Sequence, residues 1–396
     1  MKEFQKKKLR KLLCYLYDNN PYYSAVMHKL GCNPFYDNTS KIYSNLPLMK
    51  KEDLLNNMNL ILTPSLLNSD SKYDLTSGTT GNVIKCYKTK SERSNLAINI
   101  WRKRREIDKG VKPSNYISLF NNDFERLFGK FYNTSEESII KIFKVLEKLN
   151  PRWLSGPISI FEKMAMLIES GISVNFNNLT VIEFMGEYVE QNKRKFIEKF
   201  FNCKTVNNYG CQEVWCMAFE CRYEQLHIQE EFCYLEHLRP QLKNKDGEII
   251  LTSFNNYLMP IIKYRIGDIG HFYDESCNCE CDNMCLFLAG GRSGEYIKGT
   301  NILGNYFFDQ VAWQVNSRLG CAIYAFRVIQ RSVMLFEFQI VKGRDFNYTC
   351  LEEISNRLNK EINKDITIEY KFFDSLEFGK HGKLSKFISL CEGQDL

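Results

Sequence analysis

The stretch from residue 76 to residue 81 combines short hydroxyl side chains with two glycines. Its members are Thr76, Ser77, Gly78, Thr79, Thr80 and Gly81. Glycine lets a backbone approach a polyphosphate closely because it has no Cβ, and exposed N–H groups and hydroxyls are donors for anionic oxygens. The order differs from the G-x-x-x-x-G-K-[ST] pattern of a P-loop. Alone, the stretch fits an ordinary loop as well as a phosphate-binding one, so its meaning depends on other segments.

A second group of polar residues follows a predicted strand near residue 207. Its members are Asn208, Tyr209, Gly210, Gln212 and Glu213. The ring of Tyr209 could stack on a purine, and the carboxylate of Glu213 could hold Mg²⁺ against phosphate oxygens. A tight turn with a solvated carboxylate is the simpler alternative.

Three further side chains could act on the same ligand. Asp268 follows a strand-like segment, where a carboxylate can accept from both hydroxyls of a ribose, although a salt-bridged turn has the same pattern. Arg292 follows two glycines, and its guanidinium could reach a ribose or a phosphate. Lys383 lies beside a glycine near the C-terminus and, taken alone, is typical of a solvated surface lysine.

The composition is that of a globular protein. The 396 residues are 44% hydrophobic and 25% charged, with a formal net charge of +6, and this length favours two domains. The modest positive charge suits an enzyme of anionic substrates, and no alternation of basic and aromatic residues indicates nucleic-acid binding. The N-terminus lacks a signal-peptide pattern, and no apolar stretch approaches the roughly 20 residues of a membrane span. We therefore expect a cytoplasmic protein without nucleic-acid or membrane partners.

The order of elements predicts an α/β fold. Between residues 90 and 207, short apolar strands alternate with amphipathic helices, which indicates parallel strands. The predicted helices are 90–106, 136–148, 158–170 and 189–201. We expect a large N-terminal α/β domain with layered sheets and a strand-rich subdomain at 226–290. A small α+β unit with its own core follows, and the glycine-rich stretch 289–301 is the expected boundary.

Cysteines are numerous, and one segment concentrates them. The chain has 15 cysteines, and residues 277–285 read CNCECDNMC, downstream of a Cys-x5-His pair formed by Cys221 and His227. Two ligands from one short segment and a Cys-x-Cys from another could form a tetrahedral Zn²⁺ site. A reduced, cysteine-rich exposed loop is the alternative. The basic run 101–109 is interpreted as a solvated helix face.

The motifs occur together in an order that resembles the adenylate-forming enzymes. The superfamily includes acyl-CoA synthetases, peptide-synthetase adenylation domains and luciferases. The segments that carry the resemblance are TSGTTG, NNYGCQE, KYRIGD, GGR and GKLSK. Residues 226–272 and the N-terminal segment through LPLMKKEDLLNN look like the phenylacetate–CoA ligase branch in particular.

The resemblance implies a role for each motif. The loop 76–81 would wrap the β- and γ-phosphates of ATP, and Glu187 would lie against the adenine. Tyr209 would flank the adenine ring, and Glu213 would bind Mg²⁺. Asp268 would hold the ribose hydroxyls, with Arg292 nearby.

Two further implications concern the catalytic lysine and the cysteines. Lys383 would bridge the substrate carboxylate and the α-phosphate. Some relatives carry a Cys-x-Cys at a set distance before Gly-Arg, and this distance selects Cys277 and Cys279 as partners of the earlier Cys-His pair. The zinc would be structural.

The implied reaction is activation of a carboxylic acid, aromatic or small, by ATP and Mg²⁺ through an acyl-adenylate. The acyl group would pass to the thiol of coenzyme A or to the phosphopantetheine of an acyl or peptidyl carrier protein. The N-terminal domain would span 1–292, and the lid 293–396 would rotate between the half-reactions. A homodimer would fit this branch. The alternatives are an amide-forming ligase and a non-catalytic nucleotide-binding scaffold. The departures at Gln212 and Ile266 give the scaffold some weight, whereas Lys383 and Glu213 weigh against it.

Overall fold

The computed structural model describes most of the chain. The described ranges are 1–76, 83–120, 136–238, 246–273, 277–279, 281–292, 295–376 and 386–391. No helix within these ranges is both long and apolar enough to cross a membrane.

Helices surround the sheets on several sides. The described α-helices are α1 (Glu3–Asn19), α2 (Pro21–Lys29), α3 (Thr39–Asn45), α4 (Lys51–Asn56), α5 (Met58–Ile61), α6 (Lys90–Ile107), α7 (Glu136–Leu149), α8 (Ile158–Glu169), α9 (Gln191–Phe201), α10 (Gly304–Leu319) and α11 (Thr349–Glu361). The four helices predicted between residues 90 and 207 are found within three residues of their expected bounds. At the start of α6 a capping box forms, because Thr89 and Glu92 each accept the other's backbone N–H.

Strands form a hairpin, a large mixed sheet and a small C-terminal sheet. The hairpin is β1 (Lys72–Leu75) and β2 (Lys85–Lys88). The large sheet contains β3 (Tyr116–Ser118), β4 (Trp153–Gly156), β5 (Val181–Met185), β6 (Lys204–Tyr209), β7 (Ala218–Glu220), β8 (Leu226–Ile228), β9 (Cys233–Leu238), β10 (Gly247–Ser253), β11 (Tyr264–Tyr273) and β12 (Cys285–Arg292). The small sheet contains β13 (Ile323–Ser332), β14 (Leu335–Lys342), β15 (Thr367–Phe373) and β16 (Phe387–Ser389).

The large sheet changes direction in its middle. Its order is β3-β4-β5-β6-β7-β8-β12-β11-β10-β9, and β3 to β6 are parallel, as the alternation of strands and helices predicted. From β6 onward the pairings are antiparallel. The end of β6 therefore lies where the two halves of the sheet meet.

Two hydrophobic cores support the two halves. Helices α7 to α9 pack on the parallel half, with buried residues such as Phe143, Phe161 and Phe184. The N-terminal helices pack on the antiparallel half, where Leu9 and Leu16 of α1 are fully buried. These N-terminal helices form a layer, the N-terminal layer, that is joined to the sheet beside the KYRIGD motif, where Met49 bridges to Tyr264.

The C-terminal unit, meaning the small sheet with α10 and α11, has its own core. Phe308 and Phe387 stack with ring centroids 5.3 Å apart. Gly304 permits this packing, because a Cβ there would lie 2.2 Å from the Phe387 ring. Strand β12 continues through Arg292, so the first four residues of the glycine-rich stretch 289–301 belong to the large sheet. The predicted α/β fold class is confirmed.

Candidate active site and metal centre

Asp268 lies between two predicted nucleotide-binding residues. It accepts a hydrogen bond from Tyr209 Oη at 2.8 Å and one from Arg292 Nε at 3.0 Å. Asp268 pairs directly with Arg292 across β11 and β12, and Tyr209 ends β6. The sheet thus brings together three residues that are up to 83 positions apart in sequence. The Asp268 carboxylate raises the pKa of the Arg292 guanidinium, whereas burial lowers it. The effect of the carboxylate is larger, so the pKa is raised overall.

Glu213 is held by the turn after β6. Gly210 allows this turn to fold tightly, because a Cβ would lie 1.8 Å from the carbonyl oxygen of Trp215. Asn256 donates to the Glu213 carbonyl at 2.8 Å. The Glu213 side chain is buried. The pKa of Tyr264 and that of Cys211 are raised by the burial of these two side chains and by the nearby Glu213 carboxylate. A fixed, buried carboxylate with oxygen donors is chemically suited to Mg²⁺.

Two lysines that the sequence motifs did not single out lie at this site. Burial lowers the pKa of Lys51, and the nearby Arg292 lowers it further, whereas Glu213 raises it. Lys51 reaches this position because Met49 forms a parallel bridge with the first residue of β11, Tyr264. A lysine in the first turn of a polar helix carries no sequence signal for such a role.

Lys88 is the second unexpected lysine, and it is 1% exposed. Its Nζ donates to the carbonyl oxygen of Gln212 at 2.6 Å and lies 3.5 Å from a carboxylate oxygen of Asp74. It therefore ties the hairpin β1–β2 to the turn that carries Glu213. A lysine at a buried strand position, in the sequence KCYK, is the signal that could have identified it.

The predicted phosphate loop occupies the connection of this hairpin. Thr76 donates its N–H to the Ile84 carbonyl at 3.0 Å and accepts the Ile84 N–H on Oγ1 at 2.9 Å. These two hydrogen bonds hold Thr76 and Ile84 together on either side of the loop. Residues 77–81 of the motif lie outside the described residues, as does Lys383, so their predicted roles stay predictions.

Asn208 points into a buried polar network next to Tyr209. Its Nδ2 donates to Glu183 at 2.7 Å, and Glu183 also accepts from Trp153 at 2.8 Å and from Arg104 at 2.7 and 3.1 Å. Glu183 is fully buried and Arg104 is 5% exposed. Burial opposes the charge on Arg104, but Glu183 prevails and raises the pKa of Arg104. The interpretation of 101–109 as a solvated helix face is therefore wrong for Arg104, whose partner lies far away in sequence.

Replacing Glu183 by glutamine is expected to destabilise the protein by about 3–5 kcal/mol, because it leaves the Arg104 guanidinium buried without its counter-charge. Urea unfolding followed by tryptophan fluorescence measures the effect. The double variant R104M/E183Q removes both charges and should recover most of the loss. Equal stability of E183Q and the unaltered protein would contradict this account of the network.

Glu187 caps a helix in this structure. Its carboxylate accepts the N–H of Ser159 at 3.0 Å and the hydroxyl of Ser159 at 2.9 Å, in the first turn of α8. A carboxylate at a helix N-terminus is favoured by the helix dipole. Its predicted contact with adenine is not tested by these bonds.

The four predicted zinc ligands lie together. One ligand atom from each of Cys221, His227, Cys277 and Cys279 falls within 4.8 Å of the others. Cys221 Sγ is 3.6 Å from Cys277 Sγ, and Cys279 Sγ is 3.2 Å from His227 Nε2. Tetrahedral zinc with Zn–S bonds near 2.3 Å places two sulfur ligands about 3.8 Å apart, so the arrangement fits the metal.

The imidazole of His227 is oriented for this role. Its Nδ1 lies 3.1 Å from the carbonyl oxygen of Asn283, so a proton on Nδ1 leaves Nε2 free to face the cysteines. His227 belongs to β8, whose partner residue in β12 is Cys285. A metal here would join the β7–β8 hairpin to the connection between β11 and β12.

Two curated proteins resemble the chain in sequence. Protein CapK of Staphylococcus aureus is 22% identical over 389 residues, which cover 93% of this chain and 82% of that protein. Phenylacetate-coenzyme A ligase of Thermus thermophilus is 22% identical over 326 residues, covering 76% and 73% respectively. No protein-family model matches the chain.

Solved structures share the fold. A 2-hydroxyisobutyryl-CoA ligase in the postadenylation state, in complex with 2-HIB-AMP, has a TM-score of 0.75 at 15% identity, covering 97% of this chain and 88% of that chain. The GH3.15 acyl acid amido synthetase has a TM-score of 0.63 at 13% identity, with 94% and 86% coverage. O-succinylbenzoate coenzyme A synthetase from Bacillus subtilis, in complex with ATP and magnesium ion, has a TM-score of 0.53 at 14% identity, with 79% and 68% coverage.

Proposed function

Because this chain has the fold of the adenylate-forming enzymes and is related to their phenylacetate–CoA ligase branch, we propose that it is an ATP-dependent ligase of a carboxylic acid. The acid forms an acyl-adenylate, and its acyl group then passes to the thiol of coenzyme A. The observation that carries this proposal is the convergence of Tyr209, Asp268 and Arg292. The buried Glu213 lies near this group, since Lys51 interacts electrostatically with both Arg292 and Glu213.

The first step joins two anions. A carboxylate oxygen of the acid attacks the α-phosphorus of ATP, the bond to the bridging oxygen breaks, and pyrophosphate leaves. Glu213 is the residue that would hold Mg²⁺, which neutralises phosphate charge when bound. Asp268 accepts from the ribose hydroxyls, while the hydrogen bond from Arg292 holds that carboxylate in place. Lys51 and Lys383 supply positive charge to the phosphates and to the attacking carboxylate.

In the second step a thiolate attacks the carbonyl carbon of the acyl-adenylate, and AMP leaves with the electrons of the acyl–phosphate bond. Coenzyme A is the proposed donor of that thiol, and a carrier protein's phosphopantetheine is the alternative. The acid is aromatic or small. Zinc would be held by Cys221, His227, Cys277 and Cys279. Its role would be structural, since these residues lie away from the Asp268 contacts in the sheet pairing.

Exchange of labelled pyrophosphate into ATP tests the proposal. A panel of aryl, alkyl and amino acids is supplied one at a time, and at least one should give exchange well above the acid-free rate. Products are then analysed after adding coenzyme A, a carrier protein or amines. An amide product would identify an amide-forming ligase. No exchange with any acid, together with intact ATP binding, would indicate a non-catalytic scaffold.

Replacing Asp268 by asparagine should weaken ATP binding by about 10- to 100-fold, since it removes hydrogen bonds to a charged group worth about 1.5–3 kcal/mol. Titration calorimetry with ATP and Mg²⁺ measures this. Asp246→Asn is the matched control, because Asp246 pairs with His271 of the same strand β11 at 2.7 Å, outside the Tyr209–Arg292 contact. Equal loss of affinity in both variants would contradict the assignment of Asp268 to the ribose.

A further inference from the structure

Four side chains of alternating charge connect helices α8 and α9, which pack on the large sheet, to the C-terminal unit. Lys193 Nζ of α9 lies 3.0 Å from Glu162 of α8 and 2.8 Å from Asp309 of α10. The other oxygen of Asp309 accepts a hydrogen bond from Lys386 Nζ. The order Glu162, Lys193, Asp309, Lys386 is therefore a continuous chain of ion pairs, with its middle link between the two units.

The central pair is charged despite its burial. The side chain of Lys193 is 4% exposed and that of Asp309 is 17% exposed. Burial works against both charges, but Asp309 and Glu162 raise the pKa of Lys193, and Lys193 and Lys386 lower the pKa of Asp309. Each charge thus depends on a neighbour for its stability, and removal of one leaves another unpaired.

Other contacts between the units include a cation–π contact between Lys163 and Tyr324, a hydrogen bond from Arg344 to the Met166 carbonyl at 3.3 Å, and two aromatic pairs. Tyr188 and Tyr306 meet edge to face at 5.2 Å, and Phe196 meets Trp313 of α10 in the same way at 5.3 Å. Aromatic contacts tolerate small shifts, whereas a hydrogen-bonded ion pair requires a defined distance and angle. The buried pair of Lys193 and Asp309 is thus more directional than the aromatic contacts.

Lys386 gives this contact a link to the proposed chemistry. It is the third residue after Lys383, and Phe387, the next residue, is buried in the core of the C-terminal unit. A backbone hydrogen bond from Val328 to the Lys386 carbonyl at 2.8 Å fixes the chain at this point. What holds Lys386 therefore also sets where the segment bearing Lys383 returns to the sheet.

We propose that Asp309 is a positioning residue for adenylation, which holds Lys386 and the C-terminal unit against Lys193 of α9, a helix that packs on the large sheet. The inference rests on the proposed function, in which Lys383 acts in the first step. An ion pair suits a contact that must also open for the second step, because its charges regain hydration when they separate. Asp309 touches neither substrate nor nucleotide and acts through Lys386.

The test compares Asp309→Asn with Glu337→Gln. Glu337 is also a buried carboxylate shared by two cations, Arg331 and Lys371, but all three lie within the C-terminal unit. With the acid identified by the panel, D309N should lower pyrophosphate exchange by about 10- to 100-fold. It should leave thioester formation from supplied acyl-adenylate within about threefold of the unaltered enzyme. E337Q should not change the ratio of the two rates, and D309E should restore part of the exchange.

Hydrogen–deuterium exchange tests the contact without any activity. D309N should speed exchange of peptides from α8, α9 and α10, and E337Q should leave α8 and α9 unchanged. The inference is overturned if D309N leaves these peptides protected, or if both half-reactions fall equally. Should the unaltered protein show no pyrophosphate exchange, the proposed function fails, and the deuterium result still decides whether Asp309 joins the units.

Discussion

Replacing Lys383 by alanine is expected to lower acid-dependent pyrophosphate exchange by about 10²–10³-fold, because it removes a positive charge from the developing transition state. Attack of a carboxylate on the α-phosphate brings two anions together, and one ammonium group that contacts both lowers the barrier. Thioester formation from supplied acyl-adenylate should change much less. The measurement is the ratio of the two half-reaction rates.

Lys380→Ala is the matched control for this prediction. Lys380 lies three residues before Lys383 in the same glycine-containing segment, so its loss removes an equal charge from the same part of the chain. Its exchange rate should stay within about twofold of the unaltered enzyme, since Lys380 lies outside the GKLSK motif and has no assigned role on the reacting groups. Equal effects of the two substitutions would reject Lys383 as the catalytic lysine. Full activity of K383A would reject that role as well, whereas the absence of exchange in both K383A and the unaltered protein would favour the scaffold alternative.

The motif residues were predictable because each motif is short and its members are neighbours in sequence. The order of TSGTTG, NNYGCQE, KYRIGD and GGR indicated one nucleotide site, and the structure joins Tyr209, Asp268 and Arg292. The alternation of strands and helices likewise predicted the parallel strands β3 to β6. The Cys-x5-His and Cys-x-Cys spacing indicated a metal site, and the resemblance selected Cys277 and Cys279 within the cluster. The fold places these two cysteines close enough to Cys221 and His227 to share a metal ion.

The residues that were missed depend on pairings distant in sequence. Lys88 is buried against the Gln212 carbonyl, 124 positions away, and Arg104 meets Glu183 after 79 positions. A single basic side chain does not reveal its partner, and burying it without one would be too costly to expect. We interpreted 101–109 as a solvated face because a basic side chain whose partner is unknown is expected to stay in solvent. Lys51 reaches the site only because the N-terminal layer bridges to Tyr264.

Protein purified without chelator is expected to contain about one zinc ion per chain, and Cys277→Ser should lose it. The metal would join two hairpins whose only covalent connection is long, and structural zinc in small domains supplies about 10–16 kcal/mol of binding free energy. Loss of even a fraction of this free energy should lower the midpoint of thermal unfolding of the β7–β8 region by several degrees. Metal analysis by mass spectrometry and thermal unfolding measure the two effects.

Two other cysteine variants make this prediction specific. Cys281→Ser should retain zinc, because the four predicted ligands already complete a tetrahedral set and Cys281 is not among them. Cys32→Ser removes a thiol of similar exposure far from the cluster and should change neither zinc content nor thermal midpoint. Zinc loss in C281S but not in Cys279→Ser would show that Cys281, and not Cys279, is the fourth ligand. A fully folded protein that contains no zinc would contradict the prediction.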